Sequence, residues 1–84
     1  MRVRVLYFAA VRDIVMRDEE SVDLPEDVTT VGAFCTYIEV AHPELVGRMG
    51  HVRIARNEAF ARATETLADG DVLALIPPVS GGSS

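Results

Sequence analysis

The sequence predicts an α+β fold in which a mixed β-sheet carries one longer helix across one of its faces. The first and last predicted strands, residues 2–8 and 72–76, are both strongly apolar, which is typical of strands at the centre of a sheet. The longest helical pattern between them has one apolar face, which a sheet would cover. A chain of 84 residues has room for one such core. We therefore expect a single domain over residues 1–78 and a flexible tail over residues 79–84.

The shorter elements follow from the spacing of apolar residues. In the first strand the residues alternate between the two sides, as half-buried strands do. Ala9 to Met16 has the spacing of a short helix that turns Ala10 and Ile14 inward, together with Val11 and Val15. The other predicted strands cover residues 20–24, 51–56 and 59–61.

The longer helix begins after Thr29 or Thr30, either of which can cap it, and continues to about His42. Pro43 then ends it, because the residue before a proline avoids the helical region. Apolar residues recur along this helix at intervals of three and four, which gives one apolar face. That face consists of Val31, Phe34, Cys35, Ile38 and Ala41.

Two turns complete the order of elements. Asn57-Glu58 is a candidate for a tight turn, and Asp69-Gly70-Asp71 is a strong turn signal before the last strand. If the first and last strands pair side by side, the sheet is mixed and the longer helix crosses it. This is the β-grasp, or ubiquitin-like, architecture.

Composition and charge exclude several classes of function. The net charge is −5 and no basic run occurs, so binding to nucleic acids or to anionic membranes is not expected. All eight basic residues are arginine, which leaves no lysine amine for an isopeptide bond with the chain's own tail. Cys35 is the single cysteine, so no internal disulfide forms, which suits a reducing cytoplasm.

The chain ends in a motif with chemical meaning. Pro77 and Pro78 stop the last strand, because proline donates no ladder hydrogen bond. The tail that follows contains Gly81 and Gly82, which lack a Cβ and so suit a channel too narrow for other residues. A glycine carboxylate delivered in this way is a suitable substrate for acyl activation by another protein. In this chain Gly82 is followed by Ser83 and Ser84, so its carboxyl group is in a peptide bond.

Four segments carry a resemblance to a known family, and they are Val5-Leu6-Tyr7-Phe8-Ala9-Ala10-Val11-Arg12, Asn57-Glu58, Ala68-Asp69-Gly70-Asp71-Val72 and Pro77-Pro78-Val79-Ser80-Gly81-Gly82. Together these segments resemble the ubiquitin-like sulfur carriers, and most closely the small subunit of molybdopterin synthase. The resemblance covers residues 1–82 in order. The thiamine-pathway carrier is similar but is usually shorter and lacks the paired prolines.

The resemblance implies that several proteins carry out successive steps on this chain. An activating enzyme that uses ATP would adenylate the carboxylate of Gly82, and a sulfur donor would convert it to a thiocarboxylate. The tail, with Gly81 threading the channel, would then enter the large synthase subunit and give its sulfur to a pterin precursor. This chain would bind no cofactor and would not be catalytic alone, because its contribution is to position a reactive end.

The same resemblance implies an apolar surface that contacts both the activating enzyme and the large subunit. By position, Phe8, Phe60 and Ile76 would form it, next to the tail residues Pro77, Pro78 and Val79. The alternative is that the two phenylalanines and the isoleucine belong to the core.

Ser83-Ser84 departs from the family pattern, because Gly82 then ends in an amide that cannot be adenylated. A precursor trimmed by a protease, a fragment of a fusion to the large subunit, and residues added during cloning all explain it. Two other functions stay open. One is a sulfur carrier for thiamine, cysteine or tRNA thiolation, and the other is a ubiquitin-like binding module whose tail is an unused linker.

The remaining reactive side chains predict no catalytic or metal site. His42 and His51 have no ligand at helical spacing, and Cys35 is expected to be a buried, inert thiol. Asp18-Glu19-Glu20 is interpreted as a solvated face, and the pair Asp69 and Asp71 as turn residues.

Overall fold

A five-stranded mixed sheet forms the body of the protein in the computed structural model, which describes residues 1–78. The predicted tail, residues 79–84, lies outside the described residues. Two single-turn 3₁₀ helices, Pro43–Leu45 and Met49–His51, lie between the longer helix and the third strand. The helices and strands are β1 (Arg2–Tyr7), α1 (Ala9–Val15), β2 (Glu19–Asp23), α2 (Val31–Ala41), β3 (Arg53–Arg56), β4 (Ala59–Phe60) and β5 (Val72–Ile76).

The strand order in the sheet is β2-β1-β5-β3-β4. The first and last strands therefore lie side by side near the middle, and they pair in parallel, with Val5 opposite Leu73. All other pairs in the sheet are antiparallel. The predicted β-grasp fold is confirmed, because the mixed sheet has the expected central pair and α2 packs on it.

The core lies between α2 and one face of the sheet. Because successive side chains of a strand point to opposite faces, every second residue of β1 and β5 enters it. These residues are Val3, Val5, Tyr7, Leu73 and Leu75. They pack in one cluster with Val31, Phe34 and Ile38 of α2. Thr30 caps the helix, since its Oγ1 accepts a hydrogen bond from the Ala33 N–H at 3.2 Å.

Some expectations for the helices are wrong. In α1 the buried residues are Val11 and Val15, whereas Ala10 is exposed, because a helix of seven residues turns only one narrow stripe toward the core. In α2 the stripe is also narrower than expected, so Cys35 is half-buried and Ala41 is exposed.

Four of the five strands differ from their predicted boundaries by one or two residues at an end, as is usual, and β5 has the predicted boundaries. His51 ends a 3₁₀ helix, so β3 begins only at Arg53. The sequence predicts the second strand over residues 20–24, whereas β2 ends at Asp23 and the buried Leu24 follows it.

Both predicted turns are present and both use left-handed backbone conformations. Asn57 and Glu58 have φ angles of 52° and 72°, which is the pattern of a two-residue hairpin turn between β3 and β4. Gly70 has a φ of 87°, and the Asp71 N–H donates to the Ala68 carbonyl at 3.1 Å. Glycine suits the third position of such a turn because it has no Cβ to clash.

Within residues 1–78, neither helix is long and apolar enough to reach across a bilayer.

Replacing Ile38 with Ala tests the assignment of the helix face. Ile38 is 0% exposed, so its truncation should leave a cavity and lower the free energy of unfolding by about 2–5 kcal/mol. Val40→Ala is the matched control on the same helix, because Val40 is 73% exposed and its truncation should change stability by less than about 0.5 kcal/mol. Urea denaturation measures both. Equal effects of the two substitutions would show that the helix face is misassigned.

Candidate functional site

The face of the sheet opposite α2 carries a continuous group of apolar side chains, here named the apolar patch. Phe8 is 44% exposed and Phe60 is 57% exposed, so neither belongs to the core. Together with neighbouring residues of the hairpin and β5 they line a shallow groove of about 580 Å³. The patch consists of Leu6, Phe8, Ala55, Phe60, Val72, Ala74 and Ile76.

Strand register brings these residues together from distant parts of the sequence. Leu6 pairs with Ala74 across the parallel β1–β5 pair. Ala55 pairs with both Ala74 and Phe60, so the hairpin extends the same row toward the sheet edge. Phe8 follows β1 and its N–H donates to the Leu75 carbonyl at 3.3 Å, which anchors it beside the end of β5.

The structure therefore places three of the predicted partner-binding residues side by side. Phe8, Phe60 and Ile76 line one groove, and the alternative that they form the core is wrong for the two phenylalanines. Ile76 is half-buried. That this surface binds another protein stays a prediction.

The tail begins at one end of the apolar patch. Ile76 is both the last residue of β5 and a member of the patch, and Pro77 and Pro78 follow it directly. Pro77 is half-buried and Pro78 is exposed. The predicted site residues Val79, Gly81 and Gly82 lie outside the described residues, as does Ser83-Ser84.

The other half of this sheet face is polar and internally neutralised. The Arg2 side chain pairs with Asp23 at 2.9 Å, and the Arg4 side chain pairs with Glu19 at 2.7 Å. These pairs join β1 to β2 across the sheet and are well exposed to water. The face is thus divided into an ion-paired half over β2 and an apolar half over β5, β3 and β4.

A buried carboxylate supports the hairpin that carries Phe60. Asp71 is only 6% exposed and accepts hydrogen bonds from Arg56 Nε at 2.7 Å, Asn57 Nδ2 at 2.9 Å and the Ala68 N–H at 2.8 Å. Burial alone would raise the pKa of Asp71, but these donors outweigh it and hold the pKa below its usual value. The sequence identified Asp71 only as a turn residue, because nothing in the local pattern shows its partners.

A second polar cluster joins β2 to the end of α2. Glu20 accepts hydrogen bonds from the Tyr7 hydroxyl and from Arg17, and it contacts His42 Nε2 at 2.6 Å. Glu44 lies 3.3 Å from the other ring nitrogen of His42. Burial and the Glu20 contact raise the pKa of Tyr7, whereas the hydrogen bonds of Glu20 outweigh its burial and lower its pKa.

The sequence missed this cluster because Glu20 and His42 are far apart along the chain. The interpretation of a solvated acidic face holds for the exposed Asp18 and Glu19 but is wrong for Glu20. Over residues 1–78, no group of three or more His, Cys, Asp or Glu side chains could hold a metal ion. Cys35 is half-buried, and burial raises the pKa of its thiol, which disfavours the reactive thiolate.

Comparison with known proteins shows which family model and which relatives this chain matches. Residues 5–82 match the family model described as the ThiS family. The molybdopterin synthase sulfur carrier subunit of Chlamydomonas reinhardtii is 37% identical over 84 residues, covering 98% of this chain and 100% of that protein. The protein of the same name from Mycobacterium tuberculosis is 36% identical over 85 residues, covering 98% and 99%.

Solved structures show the same fold. The crystal structure of SAMP1 from Haloferax volcanii superposes with a TM-score of 0.86 at 33% identity, covering 98% of this chain and 100% of that one. A chain in the complex of subunits 1 and 2 of the molybdopterin-converting factor from Helicobacter pylori superposes with a TM-score of 0.70 at 25% identity, covering 98% and 100%.

The lowered pKa of Asp71 predicts a specific dependence of stability on pH. A carboxyl group whose pKa is lower in the folded state than in the unfolded state stabilises the fold at pH values above its ordinary pKa of 3.8. This stabilisation is lost as the pH falls through the pKa of the folded state. Asp71→Asn should therefore lower the urea midpoint at neutral pH, and its difference from the wild type should shrink as the pH falls below 3.8.

The matched control for this prediction is Asp13→Asn, which changes an exposed carboxylate on α1 and should have little effect at any pH. A deficit of Asp71→Asn that stayed constant down to strongly acidic pH would show that the charge of Asp71 does not stabilise the hairpin.

Proposed function

The chain belongs to the ThiS family, and from that premise we propose that it carries sulfur on Gly82 for the assembly of molybdopterin. The observation that supports this most is the continuity between the apolar patch and the tail, since Ile76 belongs to the patch and is followed directly by Pro77. A partner that covers the patch would hold the start of the tail at its own active site.

The chemistry of the proposal is activation of a carboxylate in two steps. The Gly82 carboxylate attacks the α-phosphorus of ATP on an activating enzyme, so that an acyl-adenylate forms and pyrophosphate leaves. Sulfide then attacks the acyl carbon and AMP leaves, which produces the thiocarboxylate. The adenylate is needed because a free carboxylate is a poor electrophile with a poor leaving group.

The proposal assigns this chain a passive role in catalysis. The body binds no cofactor, ATP belongs to the activating enzyme, and sulfur transfer to the pterin precursor takes place on a large synthase subunit. Two relatives at 36–37% identity are named molybdopterin synthase sulfur carrier subunit, and the Helicobacter pylori structure is a complex of subunits 1 and 2 of the molybdopterin-converting factor. The likeness to these proteins supports a large subunit as the partner. The single cysteine suits the cytoplasm as the place of action.

Ser83-Ser84 must be removed before any of these steps, because Gly82 otherwise ends in an amide. Hydrolysis of the Gly82–Ser83 bond by a processing protease supplies the free carboxylate. The proposal therefore includes a protease as a third partner.

A sulfur carrier for another pathway is the second candidate. SAMP1 of Haloferax volcanii, a small archaeal modifier protein, is 33% identical in a match that covers 98% of this chain, so proteins this similar are not all named as subunits of molybdopterin synthase. The two functions share the activation of Gly82 and differ in the protein that receives the sulfur. Binding to a large synthase subunit distinguishes them.

The activation step is tested with a chain that ends at Gly82. After incubation with the activating enzyme, ATP and sulfide, intact-mass spectrometry should show that one oxygen is replaced by one sulfur at the C-terminus. The 84-residue chain is the matched control and should keep its mass, because its Gly82 is an amide. An unchanged mass of the shortened chain would contradict any function as a sulfur carrier.

The threading step is tested with Gly81→Ala in the same shortened chain. The added methyl group should slow sulfur transfer on the large subunit, because it widens the tail, while the melting temperature should stay at the wild-type value. Wild-type transfer by this variant would show that the channel does not select glycine at this position.

A further inference from the structure

One arginine stands at the end of the apolar patch from which the tail leaves. Arg53 is exposed, and its guanidinium carbon lies 3.9 Å from the centroid of the Phe60 ring. Strand register places Arg53 opposite Ile76 on the neighbouring strand. Because an aromatic ring holds a guanidinium by a cation–π contact, this cation is already positioned on the patch before any partner binds.

Most other arginines of the folded body are neutralised by nearby acids. Five of them lie within 4.0 Å of a carboxylate oxygen. Among the residues that the structure describes, Arg53 has no such carboxylate. The five paired arginines are Arg2, Arg4, Arg12, Arg17 and Arg56.

The acid that lines the groove does not neutralise Arg53 either. Glu58 is exposed in the hairpin turn after β3, whereas Arg53 begins that strand. Three residue steps along β3 span about 10 Å, which is longer than the Debye length of about 8 Å at physiological ionic strength. The patch therefore has a cation at its tail end and a carboxylate at its far end.

We propose that Arg53 determines which partner covers the patch and in which orientation, by pairing with a carboxylate on the large synthase subunit. The partner surface that fits is apolar over Phe8 and Phe60 and bears an Asp or Glu at its border, next to the entrance that receives the tail. A carboxylate there meets a cation that is already oriented, whereas a basic border would be repelled. This proposal rests on the proposed function.

Calorimetric titration of the large subunit from the same organism with the chain ending at Gly82 tests the proposal. Arg53→Met keeps a side chain that covers Phe60 but removes the charge, so it should weaken binding by about two- to fivefold. Arg53→Glu should weaken binding about tenfold or more, because it places like charges together. Arg53→Lys keeps the charge and should bind more tightly than Arg53→Met.

The salt dependence of the binding affinity distinguishes the contribution of the Arg53 charge from that of side-chain packing. The affinity of the wild type should fall with added sodium chloride, and the affinity of Arg53→Met should fall less steeply. Arg48→Met is the matched control, because Arg48 is exposed at the start of the 3₁₀ helix Met49–His51, outside the sheet, and this variant should bind as the wild type does.

The outcomes distinguish this proposal from the function on which it rests. If Arg53→Met matches the wild type in affinity and in salt dependence while Phe60→Glu abolishes binding, Arg53 plays no part in selecting the partner and the proposed function stands. If Arg53→Lys loses as much affinity as Arg53→Met, a pairing of charges is excluded. If the wild type does not bind the large subunit, the proposed function is itself wrong.

Discussion

The parallel pairing of β1 and β5 is the constraint on which the rest of the structure depends. Val5 and Leu73 face each other in this pair, and both are 0% exposed beneath α2. Because side chains alternate along a strand, burying these residues fixes their neighbours on the opposite face. Leu6 and Ala74 are therefore directed to the open side. The same packing that forms the core thus produces the apolar patch.

The pairing also decides where the tail starts. In a parallel pair both strands end at the same side of the sheet, so Phe8 lies beside the end of β5 and Pro77 continues from there. The hairpin adds Phe60 to this end of the face, and Asp71 holds that hairpin through Arg56 and Asn57. Polar contacts and apolar packing together place the apolar patch next to the start of the tail at Pro77, which is the arrangement that the proposed function needs.

The sequence predicted the fold because its strongest signals are local. The alternation of β1, the capping by Thr30 and the turn at Gly70 each follow from neighbouring residues, and the structure confirms them. Ala10 was placed on the wrong side because a short helix offers several apolar stripes and only tertiary packing selects one.

The polar clusters could not be predicted in the same way. Asp71 receives hydrogen bonds from Arg56 and Asn57, about fifteen positions away, and Glu20 contacts His42 at a still larger separation. Only the folded sheet brings these groups together. By contrast, the family resemblance predicts Phe8, Phe60 and Ile76 as partner-binding residues, and the structure adds that Phe8 and Phe60 are exposed and share one groove.

The central claim is that the apolar patch and the start of the tail form one binding surface, while the outer side of α2 does not. Mapping of backbone amide chemical shifts on addition of the large synthase subunit tests it most directly. The account predicts that the largest changes occur at Leu6, Phe8, Phe60 and Ile76, with little change at the exposed Thr36 and Val40 of α2. Changes concentrated on α2, with Phe60 unaffected, would contradict it.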